Sequence, residues 1–490
     1  MGKENENKEN QREKGTENPT NHLLRSDNSM KMIQVSSDIS TSKVIACVKR
    51  NGKTPASDHY IMCDILSRLR SKHLMRLKSV CTQWKSLIET DSYLIDLHHR
   101  FHSRQMKTVL FVSSPPIPRF DESERTGGTM DFTTLFPTEV QKLELDRPVF
   151  GIPTQAVAGL VCIQSRREAF LIYNPNTGER TPWIETTTVN ENVAEERRRE
   201  VNCIAFGYSP RTKEHKVLCI SSIKKKGVVR GLKMYIPRMP YTLQCQVFCM
   251  KKFEDGNDSG VFEHADDLEE VGADEEQVCE VFTIGENKWR RIDAVPPYSL
   301  ASKVCYVGEL GHYNEESKAV YVRGKIYWRF RYTRKGEVMM VFDVRTEKFK
   351  VISIPEHVTR SPKKYPQTVE LLEVDGHIAV LKFTPDCPIS LWILNQDDGT
   401  DKWSYEKVRT PCDWSGIRDL SIEAISGTNV IIMKREMSET IYVYFRDRKT
   451  YDAYTMNEKH GLNYQPGELR GILTLFDSLA PVSTKRCSMF

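Results

Sequence analysis

No stretch of the 490 residues reaches the roughly 18 consecutive apolar positions of a membrane-spanning helix, which excludes an ordinary transmembrane helix. Charge of one sign is also missing. The chain has 71 Lys and Arg against 66 Asp and Glu, a net of +5. A surface devoted throughout to nucleic acid or to an anionic membrane needs a larger excess, so neither partner is expected. The first ten residues, MGKENENKEN, carry no apolar run, and no secretory signal is expected there. HExxH, GxSxG, Walker and GxGxxG patterns are absent, which removes the usual signatures of metalloproteases, hydrolases and nucleotide-binding enzymes. No CxxC pair occurs among the 13 cysteines. Cys245 and Cys249 are four apart, and no second pair lies near them. Most cysteines sit inside apolar runs such as GLVCI and KVLCI, as reduced core thiols of a cytoplasmic or nuclear protein do.

What is present suits a folded chain. Hydrophobic residues make 39% and charged residues 28%, near globular norms. Residues 1–54 are the exception. The first 25 hold five basic residues, five Glu and no aromatic, so this tail is expected to be disordered.

From 55 to 104 the texture is helical. Ile61, Ile65, Leu66 and Leu69 have helical spacing. Leu74, Leu77, Cys81, Trp84 and Ile88 step by 3, 4, 3 and 4, one face of a second helix, and Val80 and Leu87 widen the stripe. YLIDLHHRFH starts a third. So small a unit buries too little alone, and its wide apolar stripe predicts a partner, or packing on the rest of the chain.

After about residue 105 the period falls to two. Runs such as TVLFVSS, KIYWRFRYT and HIAVLKF alternate with turn signals. LIYNPNTGERTPW, VFTIGENKWRRI, VFDVRTEKFKVI and VYFRDRKTYDAY share a form: apolar strand, polar turn, second strand. Gly159, Gly324 and Gly376 each open a similar strand upstream. Meanders of about 45 residues repeated in this way predict a β-propeller-like fold; a β-sandwich with similar hairpins is the other reading.

Two stretches resemble one family. Ile65-Leu66-Ser67-Arg68-Leu69 and Val80-Cys81 through Trp84 to Leu87-Ile88 resemble an F-box. Gly159-Leu160-Val161-Cys162, Asn174-Pro175-Asn176-Thr177-Gly178, Phe206-Gly207-Tyr208, Val281-Phe282-Thr283, Trp289-Arg290 and Phe342-Asp343-Val344 resemble, in order, the F-box-associated (type 3-like) domain of plant F-box proteins. Ser57 and Arg70 stand where the family usually has proline, and Tyr60 where it has leucine. The fold class expected is mainly β with a small all-α N-terminal module. It comprises a disordered tail (1–54), an F-box (55–104), a propeller-like, kelch-like associated domain (105–479) with an acidic insertion (254–276), and a flexible end (480–490).

The resemblance implies an adaptor. The F-box would dock a Skp-type adaptor of a cullin-based (SCF) ubiquitin ligase, and the β domain would bind a protein substrate. Ile61, Ile65, Leu66, Leu69, Leu74, Leu77, Val80, Cys81, Trp84, Leu87 and Ile88 would form the adaptor surface or the F-box core, with Ile61, Ile65, Leu66 and Leu69 on the surface. No catalytic residue, cofactor or metal is expected. A propeller-like binding module acting outside any ligase is the alternative, and a propeller enzyme a third reading.

Three further features have plain readings. The segment 254–276 holds eleven acidic residues in 23, and part of it mimics a calcium loop; a disordered acidic loop is expected. Arg197-Arg198-Arg199 and Lys224-Lys225-Lys226 read as solvated loops. His98 and His102, four apart, share a helix face but read as a solvated helix end. Cys487-Ser488-Met489-Phe490 is a loose prenylation signal.

Overall fold

The structure is a computed structural model. It describes residues 56–104, 108–113, 128–134, 140–145, 156–165, 169–187, 197–225, 233–234, 249–250, 275–298, 319–333, 336–359, 368–384, 387–397, 400–409, 420–435, 440–455 and 469–482. The expected disordered tail, the calcium-like loop, most of the acidic insertion and Cys487 lie outside these residues. The chain divides into two units, Met1–Ile61 and Met62–Phe490.

Among the described residues four helices come first: α1 (Ala56–Ser67), α2 (Ser71–Leu77), α3 (Thr82–Thr90) and α4 (Ser92–His102). The single helix expected across Leu74 to Ile88 is broken in two. Cys81 adopts an extended backbone (φ −162°, ψ 163°), and its Sγ accepts the Trp84 N–H at the start of α3. It is therefore an exposed N-cap rather than part of the stripe. The 3.6 period runs on through residues 78–81 because the turn happens to keep the spacing.

The rest is antiparallel sheet. β1 (Thr108–Ser113), β2 (Gly128–Thr134) and β3 (Val140–Leu145) pair in sequence. β4 (Val161–Ser165), β5 (Ala169–Tyr173) and β6 (Ile184–Glu185) form a three-stranded sheet. β7 (Arg197–Ser209) and β8 (Glu214–Lys225) join β11 (Glu275–Thr283) and β12 (Trp289–Ile292). A separate pair, β9 (Lys233–Met234) and β10 (Cys249–Met250), lies between them in sequence. β13 (Val320–Val322), β14 (Lys325–Thr333), β15 (Gly336–Asp343) and β16 (Lys348–Ser353) make the next sheet, followed by the short α5 (Glu356–Thr359). Then come β17 (Thr368–Val374), β18 (His377–Thr384), β19 (Cys387–Asp397) and β20 (Thr400–Val408). β21 (Leu420–Ala424), β22 (Val430–Arg435), β23 (Thr440–Phe445) and β24 (Thr450–Thr455) follow. The last strand, β25 (Leu469–Leu475), returns to pair with β1 and completes the first sheet in the order β25-β1-β2-β3. This is a β-propeller with five four-stranded blades, the three-stranded sheet standing after the first.

Each blade is covered on both faces by its neighbours, so its middle strands bury both faces. β5 (AFLIY) is buried at every position, and Val338, Met339, Met340, Val341 and Phe342 of β15 are all buried. The outer strand β16 is largely exposed. Between blades the side chains interlock: Leu218 and Val281 of one pack with Trp328, Met340 and Phe342 of the next. The glycines that open the repeats have a common cause. Ala158-Gly159, Arg323-Gly324 and Asp375-Gly376 each place two successive residues at positive φ (48° and 84°, 44° and 86°, 52° and 77°). That is the tight hairpin whose twist matches its strands, and only glycine is unstrained at the second place.

Apart from Lys226, which lies outside the described residues, the basic runs are strand and not loop. Arg197 and Arg198 lie in β7 opposite Lys225 and Lys224 of β8. Arg199 is buried, bonded to Glu280 at 2.5 Å and to Ser221 Oγ at 2.9 Å. The alternation that would mark these strands is masked by charge.

Candidate functional site

The helices bury one set of apolar side chains and expose another. Cys63, Leu66, Leu74, Leu77, Trp84, Ile88 and Leu94 are buried. Leu69 and Leu87 are half-buried. Ile65 (43%), Val80 (44%) and Tyr93 (43%) stay exposed on the unit Met62–Phe490. Ile61 and Tyr60 are likewise exposed on the unit Met1–Ile61. Leu66 thus belongs to the core and not to the surface expected for it. In a helix, neighbours in sequence point about 100° apart, so Ile65 and Leu66 face different ways.

The other side of α2 and α4 is docked on the propeller. Asp477, just after β25, accepts the Ser71 N–H (3.0 Å) and the Ser71 hydroxyl at the start of α2. His99 packs on Phe476 and Tyr208, with ring centroids 5.0 and 5.6 Å away. Lys213 reaches Asp96 at 2.8 Å, and Lys78 reaches Glu179 at 3.6 Å. The segment after β25 is held in turn by the NPNTG string. Asn174 is buried, and its Nδ2 donates to the carbonyls of Ser478 (3.1 Å) and Ala480 (3.0 Å). Asn176 Nδ2 donates to Phe476 O at 3.2 Å. A Cβ at Gly159 would lie 2.2 Å from the Ser478 Cβ, so this passage admits no side chain there.

His98 and His102 are buried, not solvated. Their Nε2 atoms lie 3.0 and 3.2 Å from Leu69 O. Burial pushes the His98 imidazole down to about 3 and lowers His102 as well, although Asp477 opposes the shift at His102. Both rings are therefore neutral at physiological pH, and the His98 and His102 pair with Asp477 offers metal-ligating atoms. Burial also raises the thiols of Cys63 to about 11 and of Cys279 to about 12, and raises Cys219 further. Thiols so shifted are poor nucleophiles and behave as core side chains.

Two family matches cover these regions. The F-box domain matches residues 59–96, and the F-box associated beta propeller domain matches residues 98–465. The chain belongs to the F-box-associated β-propeller family. It is 21% identical over 411 residues to F-box protein At1g53790 of Arabidopsis thaliana, covering 79% of this chain and 72% of that one. Putative F-box protein At5g50220 of the same plant is 21% identical over 392 residues, covering 79% of each. Putative F-box protein At3g17490 is 23% identical over 356 residues, with 71% and 72% covered.

Within this F-box, Trp84 and Ile88 of the Val-Cys-x-x-Trp-x-x-Leu-Ile step are core, while Val80 and Cys81 are exposed in the turn before α3. Arg70, where the family usually has proline, holds φ −66° and ψ 146° at the N-cap of α2. That backbone already suits proline. F-box and associated propeller domains are typically non-catalytic adaptors. Sequence reading missed Asp477, Asn174 and Asn176 as the contacts that join helices and propeller. The NPNTG string was visible, but its partners lie about 300 residues away.

Proposed function

We propose that this chain is a substrate-recognition subunit of an SCF-type ubiquitin ligase. Its helical surface docks a Skp-type adaptor, and through it a cullin, while the propeller binds a protein substrate. The observation that carries this reading is the exposure of Ile65 and Tyr93 on helices whose core and propeller-facing sides are already filled, and of Val80 in the turn between α2 and α3. A helix face of this kind is suited to a partner's apolar groove. The chain acts without catalytic residues, cofactor or nucleic acid, in the cytoplasm or nucleus.

Co-purification of the full chain with a Skp-type adaptor tests the proposal. Wild type is expected to retain the adaptor, and Ile65→Asp with Val80→Asp to lose it without loss of fold. Failure of the wild type to bind any such adaptor would leave a propeller module that acts outside a ligase.

A further inference from the structure

We propose that His98, His102 and Asp477 form a Zn2+ site that pins the end of α4 to the segment following β25. The two histidines stand four residues apart on α4 and so share a face. Both Nε2 atoms converge on one backbone oxygen, that of Leu69, at 3.0 and 3.2 Å, with the rings 4.1 Å apart. Asp477 brings a carboxylate from the segment that follows β25. One ligand-capable atom from each of the three side chains lies within 4.8 Å of the other two. Ligands about 2.0–2.1 Å from a tetrahedral zinc stand roughly 3.3 Å from one another. Leu69 O would take the fourth position, since the two nitrogens stand 3.0 and 3.2 Å from it, close to the edges of such a polyhedron. Two imidazoles and a carboxylate suit Zn2+ better than Ca2+ or Mg2+, which favour all-oxygen shells.

The protons balance. In the metal-free arrangement an Nε2–H of His98 donates to Leu69 O, and His102 meets the backbone of both Leu69 and Ser67. Coordination uses the Nε2 lone pair, so each ring proton passes to Nδ1 and none is released. Nδ1 of His98 is buried and has no hydrogen-bond partner. Nδ1 therefore has no bond that opposes its taking the proton, and the Nε2–H bond to Leu69 O is given up for the metal. Asp477 bonds Ser71, yet a carboxylate has about four lone-pair sites and can accept from Ser71 while facing a cation. Its half-exposed position supplies the way in.

The test is titration of the metal-stripped full-length chain with ZnCl2 and, separately, CoCl2. One equivalent of Zn2+ is expected to bind and to raise the melting temperature. Co2+ is expected to give the visible bands of tetrahedral nitrogen and oxygen ligation without a thiolate-to-metal band. Asp477→Asn keeps a side-chain oxygen for Ser71 and is expected to weaken Zn2+ by about 10–100-fold. His98→Gln with His102→Gln is expected to abolish binding; should that pair not fold, Asp477→Asn and the wild-type Co2+ spectrum decide. No bound Zn2+ in the wild type, a thiolate band, or unchanged affinity in Asp477→Asn would each overturn the site.

Discussion

Asp477 and Ser71 are 406 positions apart in the chain, yet the carboxylate of one receives the backbone N–H of the other at 3.0 Å. A carboxylate at this place does for α2 what an N-cap side chain ordinarily does. It satisfies a free N–H and sets negative charge against the positive end of the helix. Asp477→Ala should destabilise α2 by about 0.5–2 kcal/mol. Hydrogen exchange should quicken across residues 71–77 while the amides of β14 and β15 keep their protection. Equal acceleration in both would mean that the contact supports the whole unit and not α2.

Trp84 is buried at the centre of the helices. Its replacement by Ala should cost about 3–5 kcal/mol, enough to melt so small a helical module. Leu66→Ala should behave alike, at about 2–5 kcal/mol, because Leu66 is core. Denaturation followed by circular dichroism should then show an early helical loss ahead of the β transition. A single unshifted transition would contradict this.

Ile65→Ala and Val80→Ala should leave stability nearly unchanged and weaken adaptor binding by about 1–3 kcal/mol each. Calorimetry on the same preparations separates the two effects. Loss of fold in either variant would show that these side chains are not surface.

Arg70→Pro should stabilise the helices by about 0.4–1 kcal/mol. The native φ of −66° is already that of proline, and the gain comes from a less free unfolded chain. A drop in melting temperature would refute it.

Stability should fall with acid in a defined window. Burial pushes His98 and His215 down to about 3, against about 6.5 when unfolded. Above 6.5 neither state binds the proton, and stability is full. As pH falls through 6.5 the unfolded chain takes up protons that the folded one refuses, and stability is lost progressively to about pH 3. At pH 5.5 His215 should account for roughly 1 kcal/mol. His215→Gln should flatten the slope of urea midpoint against pH between 5 and 7; an unchanged slope would count against the buried neutral imidazole.

Much of this was legible in local pattern. Trp84 and the apolar runs of β5 and β15 announced their burial because each is set by period and residue type over a few positions. Gly324 and Gly376 marked the starts of strands for the same reason. The break between α2 and α3 was hidden because Leu77 and Cys81 keep helical spacing across a turn. The histidines of α4 looked solvated because what covers them, Leu69 and Asp477, comes from other parts of the chain. The arginines of β7 looked like a loop because the carboxylate that neutralises Arg199, Glu280, lies two strands away.

The pairing of β25 with β1 orders events during synthesis. Residues 108–113 leave the ribosome long before 469–475, so the first blade lacks a strand until β25 has been made. The partner that steadies α2, Asp477, arrives at the same late moment. An interrupted chain that stops before β25 therefore carries an open sheet edge and an unbraced helical head. Such fragments present a ready target to chaperones, and the addition of one closing strand removes it.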